Sequence, residues 1–205
     1  MEFFEALENR RSVRRYKPDP VPREDIRRII EAATRAPNGS NAQPWRFVVL
    51  TDPEKIQGLR KAVDDKYASL AEPEKLEKIT RGGRNFINLF AWAPSVVCVF
   101  QTPYQSHTDV MLKEKAPDLI EDRRTVVNTA LQSVSAAVTC LTLAAHALGY
   151  GTCWLTAPLI ARKECEQFLN SPADHALVAI LALGIPDGPL PKVPRKPVEE
   201  VLEIL

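Results

Sequence analysis

The chain has 205 residues, 45% of them hydrophobic and 26% charged, with a net charge of +1 from 27 basic and 26 acidic side chains. That length suits one domain, 1–205, with a substantial core. The even balance of charge excludes a general nucleic-acid binder, which needs a broad excess of Lys and Arg. A local cluster of arginines is then better suited to a small anion. The N-terminus carries Glu2, Glu5 and Glu8 and lacks the apolar run of a signal peptide, and no uninterrupted apolar run reaches membrane-spanning length. Cys98, Cys140, Cys153 and Cys165 show no CxxC pair and no zinc spacing. They read as reduced core residues of a cytoplasmic protein, with no metal site.

In chain order, residues 2–9 form a short helix that delivers Arg10-Arg11-Ser12-Val13-Arg14-Arg15-Tyr16. Pro18, Pro20 and Pro22 force an extended link. Ile26, Ile29, Ile30 and Ala33 then recur at helical spacing from Arg23, until Pro37, Asn38 and Gly39 open a loop. Trp45 to Leu50 reads as a strand. Asp52 and Pro53 start a helix to about Val63, and 64–90 continues as a charged helical stretch broken at Gly82-Gly83. Ser95 to Phe100 is a second strand. Residues 101–122 show no clear pattern, so 64–122 contains an excursion or lid, with Phe86, Phe90 and Tyr104 as candidate lining.

Residues 123–148 give the strongest helical pattern, apolar or small on every face and almost free of charge after Arg124. Such a helix is buried all round, more readily so with a second copy of the chain. Strand 152–156, helix 158–169 and strand 176–183 follow. The tail 185–205, with Pro186, Pro189, Pro191, Pro194 and Pro197, is stiff and suited to wrapping a partner. Strands separated by more numerous helices indicate an α/β or α+β sandwich.

Two segments carry the chemistry. Arg10, Arg11, Ser12 and Arg14 are either a solvated basic patch or a clamp for a dianion such as a phosphate monoester, with Arg195 and Lys196 able to join if the tail folds back. Asn38 to Trp45 reads first as a turn held by Asn side chains with Trp45 as core anchor, although its amides also suit the edge of a polar ring. His107, His146 and His175 have no catalytic or metal-ligand spacing. No GxSxG elbow, Walker loop or GxGxxG fingerprint is present, and Gly149-x-Gly151 follows a helix rather than a strand.

The order of four motifs resembles the nitroreductase superfamily of FMN-dependent oxidoreductases. These are Arg10-Arg11-Ser12-Val13-Arg14, the run from Ala36 to Phe47 through Gln43-Pro44-Trp45, the run from Ala144 to Trp154, and Gly184-Ile185-Pro186 followed by Pro194-Arg195-Lys196-Pro197. The resemblance implies an α+β three-layer sandwich, its central sheet mostly antiparallel and flanked by helices, in an intertwined homodimer with FMN at the interface. Arg10, Arg11, Ser12 and Arg195 are implied to hold the phosphate and ribityl chain, and Arg14 to lie near flavin N1 and O2. Pro37, Asn38, Gly39 and Asn41 are implied to come from the other subunit. Leu155, Thr156 and Ala157 border the N5 edge, with the Thr156 hydroxyl or a backbone group as donor.

The implied activity is NAD(P)H-dependent, ping-pong reduction of quinones, nitroaromatics or related small acceptors. NADH or NADPH is the donor, no side-chain acid or base is required, and neither nucleic acid nor membrane is a partner. Thr156-Ala157-Pro158-Leu159 and Arg195-Lys196-Pro197 are also similar to the iodotyrosine deiodinase branch, which makes reductive dehalogenation an alternative. That branch holds its substrate with a Glu, a Tyr four residues later and a downstream Lys. Here Tyr67 is preceded at that spacing by Val63. A non-catalytic FMN carrier or sensor is the remaining alternative.

Overall fold

The computed structural model describes residues 2–70, 87–120, 127–191 and 193–205. Strands β1 (Trp45–Leu50), β2 (Ser95–Gln101), β3 (Gly151–Leu155) and β4 (Ala176–Gly184) form one sheet in the order β1-β2-β4-β3. Every pairing in it is antiparallel, from Trp45 opposite Gln101 to Gly151 opposite Gly184. One core lies on each face of the sheet, so the expected three layers are present. Val96, Cys98 and Phe100 of β2 join the first core, and Val97 and Val99 the second, as the two-residue period of a strand requires.

On β4, Ile180 and Ala182 belong to the first core, and Ala179, Leu181 and Leu183 to the second. This alternation is interrupted by one bulge. Val99 opposes Ala179 but Phe100 opposes Leu177, so Val178 is the extra residue and Leu177 returns to the first core.

Helix α1 (Phe3–Asn9) precedes the sheet, and α2 (Arg23–Ala33) buries Ile26, Ile29 and Ala33 in the second core. Helix α3 (Pro53–Leu70) buries Ile56, Leu59 and Val63 in the first. It continues past Val63 to Leu70, as the charged helical reading of 64–90 expects, with Arg60–Asp64 and Lys61–Asp65 pairs at i,i+4 along it. The predicted break at Gly82-Gly83 and the candidate Phe86 lie outside the described residues. Phe90 is fully buried in the first core, within a 3-10 turn over Leu89–Trp92, and lines no lid.

The stretch after β2 is not patternless. It carries α4 (His107–Lys115), started by a capping box in which the Ser106 hydroxyl accepts from the Asp109 N–H at 3.1 Å. No residue of α4 is buried, so it has no apolar stripe to find. The predicted single helix over 158–169 is a 3-10 turn (Ala157–Ala161) followed by α6 (Arg162–Phe168), because Pro158 suits only the first turn.

Helix α5 (Thr129–Ala147) starts at Asn128, whose side chain accepts from the Leu131 N–H at 2.9 Å. The first four positions of the predicted helix lie outside the described residues. Val134, Val138, Leu141 and Ala145 line its buried face, each at most 1% exposed. By length and composition α5 is apolar enough to cross a membrane, and one face of it packs in the second core with residues of β2 and β4. Burial all round is not met within one chain. Leu131 is 39% exposed, and Ala136, Cys140, Leu143 and Ala144 are only half-buried.

After α1 the chain crosses the end of the sheet where β3 begins and β4 ends. The Val13 N–H donates to the Thr152 carbonyl at 2.9 Å, and the Lys17 N–H donates to the Ile185 carbonyl at 2.9 Å. This crossing needs glycine at both partners of the last ladder pair. A Cβ on Gly151 would meet Val13 Cγ2 and lie 2.7 Å from Val13 Cβ, and one on Gly184 would lie 2.6 Å from Pro94 Cδ and 3.0 Å from Tyr16.

Gly151→Ala is expected to cost about 1–3 kcal/mol, as overpacking does. In a chain of this size that lowers Tm by roughly 2–12 °C, read from a thermal melt. An unchanged Tm would show that the crossing is loose.

Candidate functional site

The crossing segment fixes the arginines. Val13 is 2% exposed and points into the protein, so its neighbours in the extended chain, Ser12 and Arg14, turn outward. Tyr16 reinforces the turn: its phenol donates to the Val13 carbonyl at 2.6 Å, and the Asp187 N–H donates to the Arg15 carbonyl at 3.0 Å. The tail then folds back. Arg10, Arg11, Ser12 and Arg14 share a 240 Å³ cavity with Pro191, Val193 and Arg195. The expected return of Arg195 to the cluster is therefore observed, and Pro191 and Val193 are walls that sequence reasoning did not name. Lys196 is not among the cavity's lining residues.

Among the described residues, no acidic side chain pairs with Arg10, Arg11, Arg14 or Arg195, the cations of this cavity. The hydrogen bonds of Arg11 and Arg14 go to backbone carbonyls: Arg11 to Glu8 at 2.6 Å and to Arg10 at 2.8 Å, and Arg14 to Ser12 at 3.3 Å. Burial first, then Arg195 and Arg11, push the Arg10 guanidinium below its ordinary value, although an arginine remains a cation at neutral pH. His146, in the last turn of α5, reports the same field. Burial, then Arg10 and Arg11, push its imidazole down against the opposing effect of Glu5. Cations gathered without counter-charge are a site for an external anion, and guanidinium forks suit a phosphate.

The Pro37–Asn41 loop is built from strained backbone. Ser40, Asn41 and Gln43 hold φ of 54°, 50° and 50°, a region costly for residues other than glycine. Asn38 pins the loop: its Oδ1 accepts from the Gln43 N–H at 2.8 Å, and its Nδ2 donates to the Ala36 carbonyl at 3.2 Å. Trp45 is half-buried against the second core, as the anchor reading expects. The Gly39 N–H donates to Ser133 Oγ at 3.4 Å, which ties the loop to the first turns of α5. Ser133 escaped notice in the sequence because it looks like one more small residue in an apolar helix.

The loop and the arginines therefore lie at opposite ends of α5. Gly39 meets Ser133, whereas Val13 meets Thr152 beyond the helix's other end. Roughly 20 Å of helix lies between them, at about 1.5 Å per residue. Leu155, Thr156 and Ala157 stand about 15 Å along β3 from the Gly151 end. Leu155 is buried, Ala157 is half-buried, and Thr156 is exposed with its carbonyl accepting from the Leu159 N–H at 2.9 Å. Ser12 bridges Thr152 in parallel, and the chain then passes the Gly151 end of β3 to reach Pro186 at Tyr16. One chain thus unites Arg10, Arg11, Ser12, Arg14 and Arg195 in one cavity; Leu155, Thr156 and Ala157 are not among its lining residues, and Pro37, Asn38, Gly39 and Asn41 lie apart. Among the described residues no group of His, Cys, Asp and Glu is placed to hold a metal.

Comparison with known proteins gives this arrangement a context. The chain is 32% identical over 196 residues to the iodotyrosine deiodinase of Thermotoga neapolitana, across 96% of this chain and 95% of that one. Its fold matches a BluB-like flavoprotein from Clostridium difficile with a TM-score of 0.90 and 31% identity, covering 100% of this chain and 99% of the other. It also matches an iodotyrosine deiodinase bound to FMN and 3-iodo-L-tyrosine, with a TM-score of 0.69, 27% identity and 96% of each chain covered. The model of the Nitroreductase family spans residues 7–185, from the arginine segment to the end of the sheet, and the chain belongs to that family, whose members are FMN-dependent oxidoreductases.

Proposed function

We propose that this protein binds FMN and uses NADH or NADPH to reduce a small acceptor such as a quinone or a nitroaromatic. The observation that carries the reading is the uncompensated cluster of Arg10, Arg11, Arg14 and Arg195 around Ser12, which fits a phosphate monoester close to a dianion at neutral pH. Arg10, Arg11, Ser12 and Arg195 would hold the phosphate and ribityl chain. Leu155, Thr156 and Ala157 would border the ring's N5 edge. Arg14 would place a cation at the N1 and O2 edge, where negative charge gathers on reduction. Thr156, with its hydroxyl free of any bond to a described residue, is an available donor for N5. When bound, FMN supplies the hydride chemistry, and the protein supplies position, charge and exclusion of water.

The ring's other contacts would come from Pro37, Asn38, Gly39 and Asn41 of a second copy. The incompletely covered face of α5, the exposed Phe3 and Phe4, and the exposed Val201, Leu202 and Ile204 of the tail supply apolar surface for that copy. In solution the 22.9 kDa chain is expected to sediment at twice its mass.

The alternative, reductive dehalogenation, is favoured by the similarity to the Thermotoga enzyme. Against it, the residue four before Tyr67 is Val63, which is fully buried in the first core and unavailable to a substrate.

The visible spectrum tests the reading directly. The purified protein is expected to show flavin absorbance that bleaches on anaerobic addition of NADH or NADPH. Flavin that stays oxidised under both nucleotides would instead indicate a carrier or sensor. The double variant Arg10→Ala/Arg195→Ala is expected to purify colourless and with a lower Tm, because a bound ligand's stabilisation is lost with it. Full FMN occupancy in that variant would refute the phosphate assignment.

A further inference from the structure

His146 stands beside the arginine cavity without lining it. It lies in the last turn of α5, and α1 packs against that helix. Arg10 closes α1, its N–H donating to the Ala6 carbonyl at 3.0 Å. Two helices thus bring their C-terminal ends to the edge of the cation cluster. The turn after His146 is tight: the Gly149 N–H donates to the His146 carbonyl at 2.9 Å, and the chain enters β3, where Thr152 holds Val13. The half-buried imidazole is uncommitted there. Its Nε2 is shut off from solvent with no hydrogen-bond partner, and the side chain makes no hydrogen bond or ion pair with a described residue.

The charges that face this ring oppose one another. Arg10 and Arg11, from the crossing segment, disfavour a second proton, as burial does. Glu5, from α1, favours it, and so does the negative end of α5 itself. Among the described residues these are the charged groups that act on it. Glu5 does not bond the ring, since its carboxylate accepts from the Glu2 N–H at 3.4 Å in the α1 capping box. The two arginines that repel the proton are also the two that an anion in the cavity would neutralise. With a dianion bound, their repulsion is cancelled, and the attraction of Glu5 and of the helix end remains.

We propose that His146 is the proton-linked member of the phosphate site: when a phosphate monoester enters the cavity, the imidazole takes up one proton from solvent and becomes a fifth cation beside Arg10, Arg11, Arg14 and Arg195. The inference rests on the FMN reading, whose phosphate it concerns. By linkage, an anion that raises the ring's hold on a proton is itself held more tightly by the protonated protein, by the same factor. The share of affinity due to His146 therefore grows as the pH falls through the histidine range. The phosphate of FMN loses its second charge near pH ~6. That loss is common to parent and variant and cancels in the ratio of their affinities.

Proton NMR of the imidazole signals tests the proposal, because the chain has 3 histidines, His107, His146 and His175. His146→Gln assigns the signal. Should that variant fail to fold, His107→Gln and His175→Gln assign it by elimination. In the flavin-free protein the His146 signal is expected to titrate below the ordinary histidine range. In the FMN-loaded protein its midpoint is expected to move to higher pH, and riboflavin, which lacks the phosphate, should not move it. The ratio of FMN affinities, parent over His146→Gln, is expected to rise about threefold to tenfold between pH 8 and pH 6, read from quenching of flavin fluorescence. FMN held more tightly than riboflavin, with an unmoved His146 midpoint or a ratio flat across that range, would overturn the role of His146 and leave the FMN reading standing. Equal affinity for FMN and riboflavin would overturn both together.

Discussion

Val13 sets the geometry on which the arginine cavity depends. Its side chain is buried, its N–H is bonded to Thr152, and its carbonyl is held by the phenol of Tyr16. With the residue between them fixed inward, Ser12 and Arg14 are directed out of the sheet end. Gly151 and Gly184 give this segment room by lacking a Cβ where it crosses. The tail is then brought over the same edge through Ile185 and Asp187, which places Arg195 opposite Arg10. Like charges collected in this way repel, and the fold bears that cost at a place where a dianion would remove it.

The architecture follows from a second constraint, the length of α5. It spans the sheet face, so its two ends present different chemistry. The Ser133 end receives the Gly39 loop, and the Ala147 end lies by the arginines. A single chain keeps the two apart. The family resemblance assigns both to one FMN, which a second chain in antiparallel register across the incompletely covered side of α5 would reconcile. The strain at Ser40, Asn41 and Gln43 fits that division, since a loop shaped for a neighbour's ligand gains little from its own chain.

Much of this was legible from residues. Trp45–Leu50 was bounded correctly because aromatic and β-branched residues end sharply at Asp52-Pro53, and α2 began where Pro22 allowed it. The arginine site was legible as composition, and the order of the four motifs joined it to the loop. What escaped was whatever depends on distant partners. Helix α4 buries nothing, so only the local pair Ser106 and Asp109 announces it. Phe90 reads as lid lining because it closes the stretch 64–90, which is charged further upstream, whereas it is the 3-10 turn over Leu89–Trp92 that carries it into the core. The bulge at Val178 sits in a strand apolar on both faces, where no alternation exists to be broken. Thr129 and Ser133 are ordinary small helix residues until Gly39 and Tyr104 are placed beside them.

The central claim is that the cavity of Arg10, Arg11, Ser12 and Arg195 recognises a phosphate monoester. Titration of the flavin-free protein with FMN and, separately, with riboflavin isolates that group, since the two ligands differ only in the phosphate. Calorimetry at fixed salt is expected to show FMN bound at least about a hundredfold more tightly, the worth of two charge-assisted hydrogen bonds. Equal affinity for the two ligands would contradict the account.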